Sequence, residues 1–160
     1  MRVLGIDPGL RLTGYGCVDV ATRAAGRAKI VEAGVFRLNA KASVSTRLAE
    51  LDDDFRALLE RVKPEVVAVE MLFAHYKHPT TAIVMGHARG VLLLAVQRAG
   101  LRLIELRPTM VKKSLTGHGH AKKGQMQRAI QVEFALAAPP EPPDVADALA
   151  IALCASRRVG

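Results

Sequence analysis

The chain has 160 residues, half of them hydrophobic, and carries 23 Lys and Arg against 15 Asp and Glu, for a formal charge of +8. That is too apolar for a disordered polypeptide, long enough to bury a core, and sized for a single domain over 1–160. The excess of positive charge favours a polyanionic partner, nucleic acid first, over a basic surface kept for solubility; with no Trp, two Tyr and four Phe, a multi-base stacking platform is not expected.

The first element is an apolar strand, Val3-Leu4-Gly5-Ile6, that ends on a carboxylate, Asp7, before a Pro8-Gly9 turn. Side chains alternate along a strand, so Leu4 and Ile6 go to one face and Val3, Gly5 and Asp7 to the other. Asp7 then sits at the rim of a buried strand, and the glycines at 5, 9, 14 and 16 keep the backbone around it open. Gly14–Val20 and Ala28–Leu38 read as two further strands of an antiparallel meander, with a polar turn over 23–27.

Leu48, Leu51, Phe55, Leu58, Leu59 and Val62 recur at helical spacing, which predicts a helix over Ser45–Val62 with Ser45 as its N-cap. Asp52-Asp53-Asp54 radiates around that helix and reads as a solvated face. After Pro64, Glu65–Glu70 is a short, nearly all-apolar strand suited to burial on both faces and to a parallel place beside the first. It too ends on an acid, Glu70. The following loop holds Phe73, which is either a core residue or a ring set against bases. Thr80–Ala99 is a second helix stopped by Gly100, and Leu101–Glu105 a fifth strand.

From Arg107 to Arg128 the chain is basic, with Lys112, Lys113, Lys122 and Lys123 beside a glycine-rich loop at 116–120, a composition suited to phosphate contact. His118 and His120 in that loop are too few for a metal site. The stiff Pro139–Pro143 segment delivers the last helix, where Asp144 and Asp147, three apart, share the first turn and Ala146, Ala148, Ala150 and Ala152 permit close packing on a sheet. Cys17 and Cys154 lack metal-like spacing and read as buried, reduced thiols. No apolar run approaches a membrane span and the start has no signal-peptide pattern, so a cytoplasmic protein without membrane contact is expected.

Asp7, Glu70, Asp144 and Asp147 are therefore four acids that a compact sheet can gather. Crowded carboxylates repel unless cations sit among them. Hard oxygen ligands select Mg²⁺ or Mn²⁺, and two such ions suit phosphodiester cleavage.

The segments GIDPGLRLTGYG, VAVEMLF, GHARG and PPDVADALAIA, in this order and spacing, resemble the RuvC family of Holliday junction resolvases over nearly the whole chain. GIDPG alone also opens the phosphate hairpin of kinase- and actin-like ATPases and the start of ribonuclease H-like nucleases of ribosomal RNA precursors; the Asp-x-x-Asp-Ala-Leu helix start and the Phe73 loop favour the junction substrate. The resemblance implies an α/β, ribonuclease H-like fold with a five-stranded mixed sheet and helices on both faces. It implies a homodimer that nicks two symmetric strands of a four-way junction with Mg²⁺, replaceable by Mn²⁺, at two ions per subunit, leaving 5′-phosphate and 3′-hydroxyl ends. It implies a branch-migration helicase of the RuvA and RuvB type as partner.

By position it assigns Asp7, Glu70, Asp144 and Asp147 to the metal, and Lys112 and Lys123 to the scissile phosphate, without choosing between each and its neighbour Lys113 or Lys122. It sets Phe73 beside bases, and Arg107 joins the basic residues expected to contact DNA. Gly86–Gly90 matches a helix near the dimer interface. No basic tail is expected, as the sequence ends at Gly160. A junction-binding scaffold without catalysis is the alternative, disfavoured by the four acids.

Overall fold

The computed structural model describes residues 1–21, 27–72 and 79–159. Five strands form one sheet: β1 (Arg2–Asp7), β2 (Leu12–Asp19), β3 (Lys29–Arg37), β4 (Val66–Glu70) and β5 (Arg102–Leu106). Their order across the sheet is β3-β2-β1-β4-β5. β1 pairs antiparallel with β2 and parallel with β4, and β5 continues the parallel side. The sheet is mixed, as expected, and its two parallel neighbours end on the two strand-end acids.

Alternation along β1 divides the core. Val3 faces a layer made by α3 (Pro108–Thr116), α4 (Lys123–Glu133) and α5 (Pro143–Val159). Leu4 and Ile6 face the other layer, α1 (Val44–Val62) and α2 (Pro79–Arg98). β4 does the same, with Val66 and Ala68 on the α5 side and Val67 and Val69 on the α1 side. That is why β4 lacks a polar face.

α5 lies directly on β1 and β2, and glycine makes this possible. A Cβ on Gly5 would collide with the Ala148 carbonyl and stand 2.5 Å from the Ala152 amide nitrogen. One on Gly14 would strike the Asp144 carbonyl, and one on Gly16 would come within 2.8 Å of the Leu149 side chain. Ala148 and Ala152 meet Gly5, Asp144 meets Gly14 and Leu149 meets Gly16, so the acids at the start of α5 are pressed towards the end of β1. The glycines do more than leave Asp7 uncluttered. They set the distance between the two acid-bearing elements.

Several details differ from the sequence reading. α1 begins at Val44, and its cap is Ser43, not Ser45: the Thr46 amide donates to the Ser43 hydroxyl at 3.1 Å. Pro143 is helical, as the first residue of α5, where its missing N–H costs nothing. α2 has the length and hydropathy of a membrane span, against the expectation that no stretch approaches one, because Arg89 and Arg98 are the only charged side chains in its 20 residues. One side of α2 is packed, with Ala88, Leu92, Ala95 and Val96 buried. The opposite side exposes Ile83 at 61% and Leu94 at 51%. Cys17 and Cys154 are free and buried. The polar turn expected over 23–27 falls largely outside the described residues.

Candidate active site

Asp7 and Glu70 stand at the same end of adjacent parallel strands, since Ile6 is in register with Val69. The turn after Asp7 is pinned by Thr13, a fully buried polar residue. Its hydroxyl donates to the Gly9 carbonyl and accepts from the Gly9 amide at 3.2 Å. The end of β4 is held from behind by Arg89 of α2. Its Nε donates to the Glu70 carbonyl at 3.1 Å and its Nη2 pairs with Glu105. Asp147 comes down from the first turns of α5.

Together these side chains line a cavity of about 240 Å³, closed by Pro108, Val111, Met126 and the two lysines Lys112 and Lys123. One lysine of each Lys-Lys pair lines this cavity. Lys112 is half-buried beside the buried Val111, whereas Lys113 is exposed on α3. Lys123 lines the cavity, whereas Lys122 precedes α4, with its amide donating to the Gln125 side chain at 2.8 Å.

The cavity is electrostatically uneasy without a cation. Burial, then the charges of Glu70, Asp147 and Asp144, push the Asp7 carboxyl well above its usual range against the pull of Lys123. Burial and the Asp147 charge push Glu70 up to about 7, with Lys112 opposing. Burial also raises Asp147, with Lys123 opposing it and Asp144 adding to it. Each carboxylate charge is costly here, and each oxygen is a hard ligand; a divalent cation removes the repulsion. Among the described residues no three acids, histidines or cysteines yet converge as a closed ligand set. The chemistry of the donor set, carboxylate oxygens sharing one cavity, is that of a divalent ion site.

Asp144 is placed differently from the other three. It lines a neighbouring, larger cavity, with the β1–β2 turn and the starts of α1 and α2, and not the acid cavity itself. Residues three apart on a helix point about 60° apart, so at a boundary between two cavities one can face each. Its charge still reaches Asp7 and Asp147. Arg107 is exposed just before α3 and away from the cavity lining, its carbonyl accepting from the Met110 and Val111 amides. Phe73 lies outside the described residues. Sequence reasoning missed Thr13 and Arg89; a Thr beside a strand-end turn and an Arg inside an apolar helix were the available signals.

Comparison with known proteins decides the family. The family model described as "Crossover junction endodeoxyribonuclease RuvC" matches residues 3–155. The chain belongs to the RuvC family. It is 41% identical over 156 residues to the RuvC of Synechococcus sp. (strain CC9311), covering 96% of each chain. It is 44% identical over 154 residues to that of Chloroflexus aggregans, covering 96% of this chain and 92% of the relative. The structure of Thermus thermophilus RuvC superposes with a TM-score of 0.87 at 34% identity, covering 100% of this chain and 97% of the other. The same protein described as in complex with Holliday junction substrate gives 0.89 at 33% identity, covering 99% and 94%. The RuvC fold is the ribonuclease H-like α/β sheet expected from the sequence.

Proposed function

We propose that this chain is a structure-selective endonuclease that resolves Holliday junctions in recombination and DNA repair by nicking two symmetric strands. The products carry 5′-phosphate and 3′-hydroxyl ends. The observation that carries this reading is the meeting of Asp7, Glu70 and Asp147 with Lys112 and Lys123 in one cavity of a RuvC-family chain. Two Mg²⁺ ions per subunit, replaceable by Mn²⁺, are proposed as cofactor, held by Asp7, Glu70 and Asp147 with Asp144 at the margin. When bound, such ions activate a water and neutralise charge on the phosphate. The chain's own residues orient the reacting groups. Asp7 and Glu70 are fixed by their strand ends, by Thr13 and by Arg89. Lys112 and Lys123 meet the scissile phosphate, and their charge favours the ionised carboxylates that ligation requires. Lys113, Lys122 and Arg107, exposed nearby, contact the backbone further out, and Phe73 stands against bases at the crossover.

The working unit is a homodimer. α2 is apolar around its circumference, a pattern that requires cover on both sides. A Cβ on Gly86 or Gly90 meets nothing within 4 Å among the described residues, so their packing gives no reason for glycine there; close approach of a second α2 does. Residues 1–160 act as one nuclease domain in the cytoplasm, receiving junctions from a RuvA and RuvB type branch-migration complex. The test is cleavage of a labelled mobile four-way junction against linear duplex, each with and without Mg²⁺. Metal-dependent, paired nicks in the junction alone are expected. Equal cutting of the duplex, or none of the junction, would remove the reading.

A further inference from the structure

We infer that the larger cavity beyond Asp144 is a second phosphate-binding site, which takes the DNA backbone flanking the scissile strand position through Arg11, Arg37 and Arg47. The inference rests on the junction-cleaving reading above and adds a site to it. The cavity measures about 800 Å³ and is walled by five separate elements, one of them α5 through Asp144. The β1–β2 turn brings Arg11, the end of β3 brings Arg37, the start of α1 brings Arg47, and the first turn of α2 brings Thr80 and Thr81. The acid on its lining is Asp144, so three cationic side chains face one anionic one.

None of the three guanidiniums is in an ion pair among the described residues, a state they share with Arg98 and Arg102, whereas Arg2, Arg56, Arg61, Arg89 and Arg157 are paired. Arg47 Nη1 donates to the Leu10 carbonyl at 3.3 Å, which ties it to the turn, while its Nε is buried and unpartnered among the described residues. A buried donor without an acceptor is costly, and an anionic oxygen would relieve it. Guanidinium forks match phosphate oxygens, and two threonine hydroxyls at the start of a twenty-residue helix add neutral donors and the positive end of its dipole.

Placement gives the ligand. Asp7 lines the acid cavity, and Arg11, four residues on, lines the basic one. Asp147 lines the first, and Asp144, one turn earlier on α5, lines the second. A strand with one phosphate among the acids therefore has its neighbouring phosphates led across the β1–β2 turn to the arginines. Such contacts hold the strand in register and carry no sequence information.

The test is the salt dependence of junction binding by the full chain in EDTA, comparing wild type, R11A/R37A and a charge-matched control, R98A/R102A, at the opposite end of the sheet. Arg11 and Arg37 are exposed, so the double variant is expected to keep the wild-type melting temperature. R11A/R37A should bind about tenfold more weakly at physiological salt, with the slope of log K against log salt reduced by roughly 0.7 to 1.8, as for one or two lost phosphate contacts. R37Q alone should lose about half of that and serves if the double variant does not fold. Affinity and slope equal to wild type, or a loss no larger than the control's, would overturn the site. Wild-type binding that does not distinguish junction from duplex would count against the junction reading instead, and the slope comparison still decides the cavity.

Discussion

The two strand-end acids do different work from ordinary surface carboxylates because the fold makes their charge expensive. In the metal-free chain Glu70 keeps its proton up to about pH 7, against 4.5 for its unperturbed carboxyl. Between those values the folded state binds more protons than the unfolded one, so stability falls as pH rises through this window. Melting temperature measured in EDTA should therefore drop from pH 5 to 7.5, the drop should be smaller in Glu70→Gln, and Mg²⁺ should restore stability at the upper end. An EDTA profile unchanged by Glu70→Gln would show that the carboxyl is not strained. For Asp7→Asn we expect junction binding to persist while cleavage in Mg²⁺ falls on the order of 10³-fold or more, several kcal/mol of barrier; gel assays of both read this directly. That Asp7, Glu70 and Asp147 would share one cavity was legible in the sequence because an acid closing an apolar strand, or flanked by the alanines of a helix, conflicts with its neighbours. Which lysine of each pair faces inward was not, since it depends on the phase of α3 and the start of α4. Nor was the turn of Asp144 into the next cavity, which follows from where Pro143 starts α5.

At the scale of elements, the site is a product of close packing. Strand periodicity and the helical repeat of α1 were readable because they follow from alternation and 3.6-residue spacing. The reason for Gly5, Gly14 and Gly16 was not, because it lies across the sheet in the backbone of α5, 130 or more residues further along the chain. The same holds for Arg89: only the fold brings its guanidinium to the carbonyl of Glu70. Arg89 is a positioning residue, and removing it frees the end of β4 and leaves Glu105 alone. Arg89→Ala should raise the Mg²⁺ concentration for half-maximal cleavage roughly tenfold, as loss of an outer support for a metal ligand does, with junction binding in EDTA unchanged. A loss of kcat without any change in metal dependence would point to a merely structural role.

For the whole molecule, the apolar outward face of α2 and the helix that steadies Glu70 are one and the same. In the proposed homodimer, two subunits pair through Ile83, Gly86, Gly90 and Leu94, on the helix whose Arg89 holds the Glu70 carbonyl. Leu94→Glu should give a monomer by sedimentation, with each subunit still folded and paired nicking lost; a dimer unchanged by that substitution would place the interface elsewhere. The net charge of +8 is then divided by role. Lys112 and Lys123 line the cavity of the acids, Arg11, Arg37 and Arg47 line the one beyond it, and in the proposed reading the DNA backbone meets both.

Anomalous diffraction from a crystal soaked in Mn²⁺ bears most directly on the claim that the acids share an ion site. We expect a metal peak coordinated by Asp7 together with Glu70 or Asp147, in the cavity lined by Lys112 and Lys123. Mn²⁺ bound elsewhere, or absent from that cavity in a protein that still cleaves junctions with Mn²⁺, would contradict it.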